Sequence, residues 1–233
     1  MHSNGNPIDL DLLSTAPLLD GLNASRVAQL ARHGWTVRHP RAARVLSRGD
    51  SLDGLFVVLS GKLKIFMLSC SGDERVIRLM QGGDSFGEAI MFNRIPSPVF
   101  VDTLAPTELA YLPAQVISET LQSNPRFVST MLKSMSALMT GLITDLETCC
   151  LQSARQRTVG YLLREAENAP PPYIEVQLPA AKATIASTLN LSAETFSREL
   201  HRLHDQGTIE ISRRTIYIRD RDGLLKELDP GSP

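Results

Sequence analysis

Apolar and polar residues change their rhythm three times along the chain. Ala24 to His33 carries Val27, Leu30 and Ala31 on one side of a 3.6-residue repeat, which predicts a short helix. Between about 36 and 113 the rhythm is that of strands: LFVVLSGKLKIFML, RVIRLM and VFVDTL. Gly49-Asp50, Ser60-Gly61, Ser71-Gly72-Asp73 and Gly82-Gly83-Asp84 fall between these runs, residue types that accept the tight turns of antiparallel hairpins. An antiparallel roll or barrel is expected, either lectin-like or ligand-sensing.

From Asn124 the period becomes helical. Val128, Leu132, Met135, Met139, Leu142, Leu146 and Cys149 are spaced 4-3-4-3-4-3, the seam of a coiled coil. A second stripe, Met131, Leu138 and Ile143, gives the same helix something to bury in its own domain. Three heptads exceed an average surface helix of about three turns, which favours a dimer seam over packing within one chain.

The third rhythm begins near Ser153, where RQRTVGYLLREAEN predicts a helix, APPPY a break and IEVQLP a short strand. Next come a short helix, Ala181 to Leu189, a turn at Asn190, and a second helix capped by Ser192 with Ala193-Glu194-Thr195 in its first turn. Asn tolerates the left-handed backbone such a turn needs. Ile185, Ala186 and Leu189 are spaced to meet Leu191, Phe196, Leu200 and Leu203, so the pair reads as a helix-turn-helix. Thr208 to Ser212 and Thr215 to Ile218, flanking Arg213-Arg214, predict a wing.

Composition narrows the class. The 233 residues suffice for two small domains, and 42% hydrophobic with 21% charged residues is ordinary for a globular protein. No run approaches about 18 consecutive apolar residues and the N-terminus lacks a basic start before an apolar run, so no membrane partner and a cytoplasmic address are expected. A net charge of −1 leaves room for a locally basic DNA-binding face. Cys70, Cys149 and Cys150 do not make a disulfide framework. No nucleophile–histidine–carboxylate set, metal-ligand cluster or GxxxxGK[ST] loop appears, so an enzyme is not expected.

This order of parts resembles the CRP/FNR superfamily of bacterial transcription regulators from about Leu18 to Leu228, with RGD at 48–50, LSGKLKIF at 59–66, QGGDSFGEA at 81–89 and VDTLAP at 101–106 similar to the family's glycine-marked turns. The resemblance implies an α+β protein: an N-terminal antiparallel β-roll sensor over 1–123, a dimerisation helix over 124–153 and a winged helix-turn-helix over 154–233. Glu194-Thr195-Phe196-Ser197-Arg198 is similar to the E-x-x-S-R signature of the FNR branch. That implies a homodimer on double-stranded DNA, an inverted repeat of TTGAT-like half-sites, and RNA polymerase as a further partner. Glu194, Ser197 and Arg198 lie at i, i+3 and i+4, on one helix face. Arginine can fork to guanine, glutamate can accept from cytosine, and serine adapts to either. Ser192 and Thr195 at the helix start and the wing residues Arg213 and Arg214 complete the expected DNA contacts.

The effector is less constrained. In cyclic-nucleotide-binding relatives the turn opened by Phe-Gly-Glu closes with an Arg-Ser pair on the phosphate. Here Phe86-Gly87-Glu88 is followed by Pro98 and Val99 at those positions, neither of which binds an anion through its side chain. A cyclic nucleotide is therefore the alternative, requiring a rearranged loop that uses Arg94 and Ser97. An iron–sulfur cluster usually needs four thiolates, and three cysteines do not supply them. The GEAIMF stretch and the ETFSR helix resemble the nitrate-respiration, DNR-like branch, which implies nitric oxide sensed through heme. Phe86, Met91, Phe92, Met131 and Met135 are the candidate slot for heme, with no histidine marked out as its ligand. Cys149 and Cys150 are expected to pack, with an oxidative cross-link of the dimer as the alternative.

Overall fold

The computed structural model describes residues 6–167 and 174–228, so the expected break at 169–173 lies outside the described residues. The chain divides into two compact units, Met1–Thr140 and Gly141–Pro233.

In the first unit, helix α1 (Leu10–Ser14) starts at Asp9, whose carboxylate accepts from the amides of Asp11 and Leu12. Helix α2 (Ala24–His33) starts in the same way at Asn23. The roll then comprises β1 (Trp35–His39), β2 (Arg44–Leu46), β3 (Gly54–Ser60), β4 (Lys62–Leu68), β5 (Glu74–Gln81), β6 (Ser85–Phe86), the short helix α3 (Glu88–Asn93), β7 (Phe100–Thr103) and β8 (Thr107–Pro113). Its strands pair antiparallel in two four-stranded sheets, β1-β8-β3-β6 and β2-β7-β4-β5.

Strand β3 shows why its sequence is apolar almost without interruption. Leu55, Val57 and Leu59 pack against the helices, in a cluster with Leu13, Leu30, Ile117 and Phe127. Val58 points the other way, into a cluster with Leu46, Leu63, Met80, Phe86, Ile90, Val101 and Leu109 contributed by both sheets. A strand covered on both faces has no solvent side to keep polar. On the far face of the second sheet Arg44 lies 4.6 Å from the Phe100 ring centre and pairs with Asp102, while Lys64 lies over Phe66 and pairs with Glu74.

Helix α4 (Ala114–Ser123), unpredicted, buries Val116 and Ile117 on the helix side of the roll. Helix α5 (Pro125–Leu151) begins in that same cluster through Phe127 and Met131, and the Thr130 hydroxyl donates to the Asp20 carbonyl at 2.8 Å. The division between the units consequently falls inside α5, after Thr140, rather than at the 123/124 boundary expected from the change of period. Of the second stripe only Met131 is buried; Leu138 and Ile143 are 46% and 62% exposed. The seam residues Leu132, Met135, Met139, Leu142 and Leu146 are exposed as well. By length and composition α5 is apolar enough to cross a bilayer, although no run of its sequence is apolar throughout. Lys133, Asp145 and Glu147 lie among its apolar residues, and a membrane span is ordinarily apolar all round.

The second unit holds α6 (Ala154–Ala166), β9 (Ile174–Gln177), α7 (Lys182–Thr188), α8 (Ala193–Asp205), β10 (Ile209–Ser212), β11 (Thr215–Ile218) and α9 (Arg221–Leu228). A capping box starts α6: Ser153 accepts from the Gln156 amide while the Gln156 side chain accepts from the Ser153 amide. The expected wing pair is part of an antiparallel sheet of three strands, β10-β11-β9. Val159, Leu162, Ile185, Phe196, Leu200, Leu203, Ile216 and Leu224 are fully buried within this unit.

Candidate nucleic-acid interface

The helix-turn-helix is assembled by its turn. Asn190 adopts φ 55°, the left-handed conformation its residue type tolerates, and the Leu191 amide then reaches back to the Ala186 carbonyl at 2.9 Å. Sequence spacing did not reveal what holds this turn from outside. Arg157 of α6 donates through Nη1 to the carbonyls of Leu189 and Asn190, at 2.9 and 3.0 Å, clamping the orphan acceptors at the end of α7. More than thirty residues separate donor and acceptors, so no local pattern could signal the contact.

Helix α8 starts where expected. The Ser192 hydroxyl oxygen accepts from the Thr195 amide at 3.1 Å, and the two hydroxyls are also 3.1 Å apart. Phe196, Leu200 and Leu203 face the core, which leaves Glu194 and Arg198 exposed and Ser197 half-buried on the opposite side. Hydrogen bonds from its own backbone amide and from the Ser192 hydroxyl hold the Glu194 carboxyl below its usual range. It is therefore an ionised acceptor at neutral pH. Among the described residues no ion pair joins Glu194 to Arg198. The Arg198 guanidinium instead approaches Thr195 Oγ1 at 3.5 Å and Glu199 at 3.9 Å, leaving the Glu194 carboxylate open to another partner.

Of the wing arginines, Arg213 is exposed at a left-handed position, φ 54°. Arg214 is exposed too, but its Nη2 reaches the Leu178 carbonyl at 3.5 Å and its own carbonyl accepts from the Leu178 amide at 2.9 Å. Arg213 is thus the freer of the two cations.

In the roll unit, Gly87 has φ 105° and a Cβ there would come within 2.6 Å of the Leu52 side chain, so this turn requires glycine. Burial pushes the Glu88 carboxyl above its usual range, against the Ser85 hydroxyl, its own backbone amide and Arg78, which pull it down. The loop after α3 is not built as an anion cradle. Ser97 is buried, its hydroxyl donates to the Val99 carbonyl at 2.8 Å, and its backbone exchanges bonds with Gly49 and Asp50. Arg94 stands exposed in the left-handed C-cap of α3. Ser97 is thus turned inward while Arg94 faces solvent.

The five residues expected to form an effector slot are not brought together. Phe86 sits between the sheets, stacked on Phe56 with ring centres 5.1 Å apart. Met91 and Met131 belong to the cluster on the helix side, and Phe92 and Met135 are each 42% exposed. Strand β3 and its sheet separate the two clusters, which residue spacing could not show. None of the described histidines belongs to either cluster. His33 is exposed at the end of α2, His39 ends β1 opposite Thr107, and His201 and His204 of α8 turn Nδ1 toward the carbonyls of Ser197 and Ile209. These residues do not fit a heme site, and no step is assigned to one.

Residues 36–124 match the cyclic nucleotide-binding domain family and residues 156–227 the Crp-like helix-turn-helix domain family. The chain belongs to the CRP/FNR family of transcription regulators. It is 23% identical over 213 residues to the cyclic AMP receptor protein of Thermus thermophilus, covering 91% of this chain and 96% of that protein. With the fumarate and nitrate reduction regulatory protein of Escherichia coli it shares 25% identity over 183 residues, 76% of this chain and 72% of that one. Among solved structures, a CooA mutant from Carboxydothermus hydrogenoformans superposes with a TM-score of 0.76 at 19% identity, covering 96% of both chains. This CRP/FNR-type regulator carries its DNA-binding domain in the second unit, with α7 and α8 inside the matched segment, while β1 to α4 make up the segment similar to the cyclic nucleotide-binding domain.

The geometry of the turn predicts how Asn190 responds to substitution. Asn190→Gly should leave the thermal unfolding of the DNA-binding domain nearly unchanged, whereas Asn190→Val should destabilise it by about 1–2 kcal/mol, the cost of a left-handed backbone for a branched residue. Circular dichroism melts of the three proteins check this; an unaltered midpoint for the valine variant contradicts it.

Proposed function

We propose that this regulator acts as a homodimer through the α5 seam, Val128 to Cys149, and reads an inverted repeat of TTGAT-like half-sites with Glu194, Ser197 and Arg198 of α8. The observation that carries the reading is a helix with one side fully buried and the other presenting an ionised carboxylate and an arginine that are not paired with each other. Ser192 and Thr195 fix the start of that helix, and Arg213, with Arg214 behind it, supplies phosphate contacts from the wing. A small-molecule or gas signal in the roll unit biases DNA binding, and RNA polymerase in the cytoplasm is the downstream partner. We favour an effector other than a cyclic nucleotide, a reading supported by a loop at Arg94 to Val99 whose arginine is exposed and whose serine hydroxyl donates to its own backbone.

Binding to duplexes carrying the repeat, followed by fluorescence anisotropy, tests the base reading. Arg198→Ala should cost about 1–3 kcal/mol per half-site and lose preference at the contacted guanine. Arg213→Ala should weaken all duplexes alike and flatten the salt dependence, because a phosphate contact carries no base information. If the two variants exchange these behaviours, α8 is not the reading element.

The seam makes a separate prediction. Leu142→Glu places a charge in an apolar interface and should yield a monomer in sedimentation velocity with the fold retained by circular dichroism; a stable dimer would remove α5 from the interface. For the effector, added cyclic AMP or cyclic GMP should leave DNA affinity unchanged, and a rise with either sinks that reading.

A further inference from the structure

The reading helix carries a buried charge that base contact alone does not require. Glu199 lies on the inward side of α8, its side chain only 5% exposed. Its Oε1 accepts from Arg202 Nη1 at 3.0 Å and stands 3.9 Å from Arg198 Nε. Its Oε2 is buried without a hydrogen-bond partner. A carboxylate held this way loses its hydration and leaves one oxygen unsatisfied, so an apolar residue of similar size would suit folding equally well or better. Arg202, which it bonds, and Arg198, which it faces at ion-pair range, are 59% and 57% exposed. The charge serves what they do outside the core.

We propose that Glu199 is a positioning residue that sets base specificity: its carboxylate fixes the Arg198 guanidinium on the open side of α8, with Arg202 as the second cation of the pair. This rests on the reading of Arg198 as a base contact. An untethered arginine has many rotamers, so it can satisfy itself on a phosphate or a neighbouring base and must be ordered anew at each docking. One drawn toward a fixed carboxylate keeps its fork within a narrower set of orientations, and the wrong base then leaves that fork unpaired. Loss of the tether should therefore relax discrimination more than it weakens binding, since removing a negative charge beside DNA also favours non-specific attraction.

The experiment compares the full-length protein with Glu199→Leu, Glu199→Gln and Arg198→Ala, on the TTGAT inverted repeat and on the same duplex with the guanines changed. Glu199→Leu should leave thermal stability unchanged or raised, keep affinity for the altered duplex, and lower the ratio of the two affinities roughly three- to tenfold. Glu199→Gln, which keeps the shape and removes the charge, should lower the ratio in the same direction. In an Arg198→Ala background neither substitution should change the ratio further, a result that a purely structural role does not produce. If Arg198→Ala collapses discrimination while both Glu199 variants retain it, Glu199 only packs and the proposal is overturned. If Arg198→Ala itself leaves discrimination intact, the base reading fails and takes the positioning role with it. Should Glu199→Leu not fold, the glutamine variant decides alone, an unchanged ratio overturning the proposal.

Discussion

The apolar face along α5 is the constraint on which the functional reading depends. From Leu132 to Leu146 five large side chains, each between 42% and 65% exposed, repeat at heptad spacing. Apolar area left in water costs about 25 cal/mol per Å², and a monomeric protein rarely leaves a contiguous patch of this kind uncovered. CRP/FNR regulators act as dimers, and a heptad stripe is the surface a second copy of the same helix covers most completely. Two-fold pairing then makes everything attached to the helix appear twice in inverted relation. The proposed inverted-repeat operator rests on the same symmetry, independently of which bases are read.

Helix α5 also belongs to both units. Its first turns are sealed into the roll by Phe127, Met131 and the Thr130 bond to Asp20, and its last turns fall within the DNA-binding unit. The seam is therefore continuous with the sensor core by covalent structure alone.

What the sequence disclosed and what it hid divide along one line. The helix-turn-helix was legible because its signals are local: a serine cap three residues before the amide it serves, an asparagine at the left-handed position, and apolar residues at helical spacing. The roll was legible through its glycine turns. Helices α3 and α4 were not, since neither has a side-chain N-cap and both are rich in Val, Ile, Met or Phe that read equally well as strand. The Arg157 clamp joins residues far apart in sequence, and Glu199 looks like any surface glutamate until its neighbours are placed. The five residues of the expected slot fall in different places for a related reason. Phe86, Met91 and Met131 are all core residues by composition, but which side of a sheet each one serves is a property of topology.

That topology suggests how a signal inside the roll meets the helix. Residues 86–91 straddle the first sheet: Phe86 and Ile90 fill the cluster between the sheets, while Met91, one residue on, packs with Phe127 and Met131. A molecule entering the inter-sheet cluster has to displace Phe86 or Ile90, because close-packed interiors hold no spare volume. Helix α3 is only six residues long and follows a glycine with a left-handed backbone. A displacement of Phe86 or Ile90 would be felt at Met91, which packs in the cluster that seats the start of α5. The effector need make no contact with the dimer seam to bias it; it needs only a different affinity for the two positions of α3.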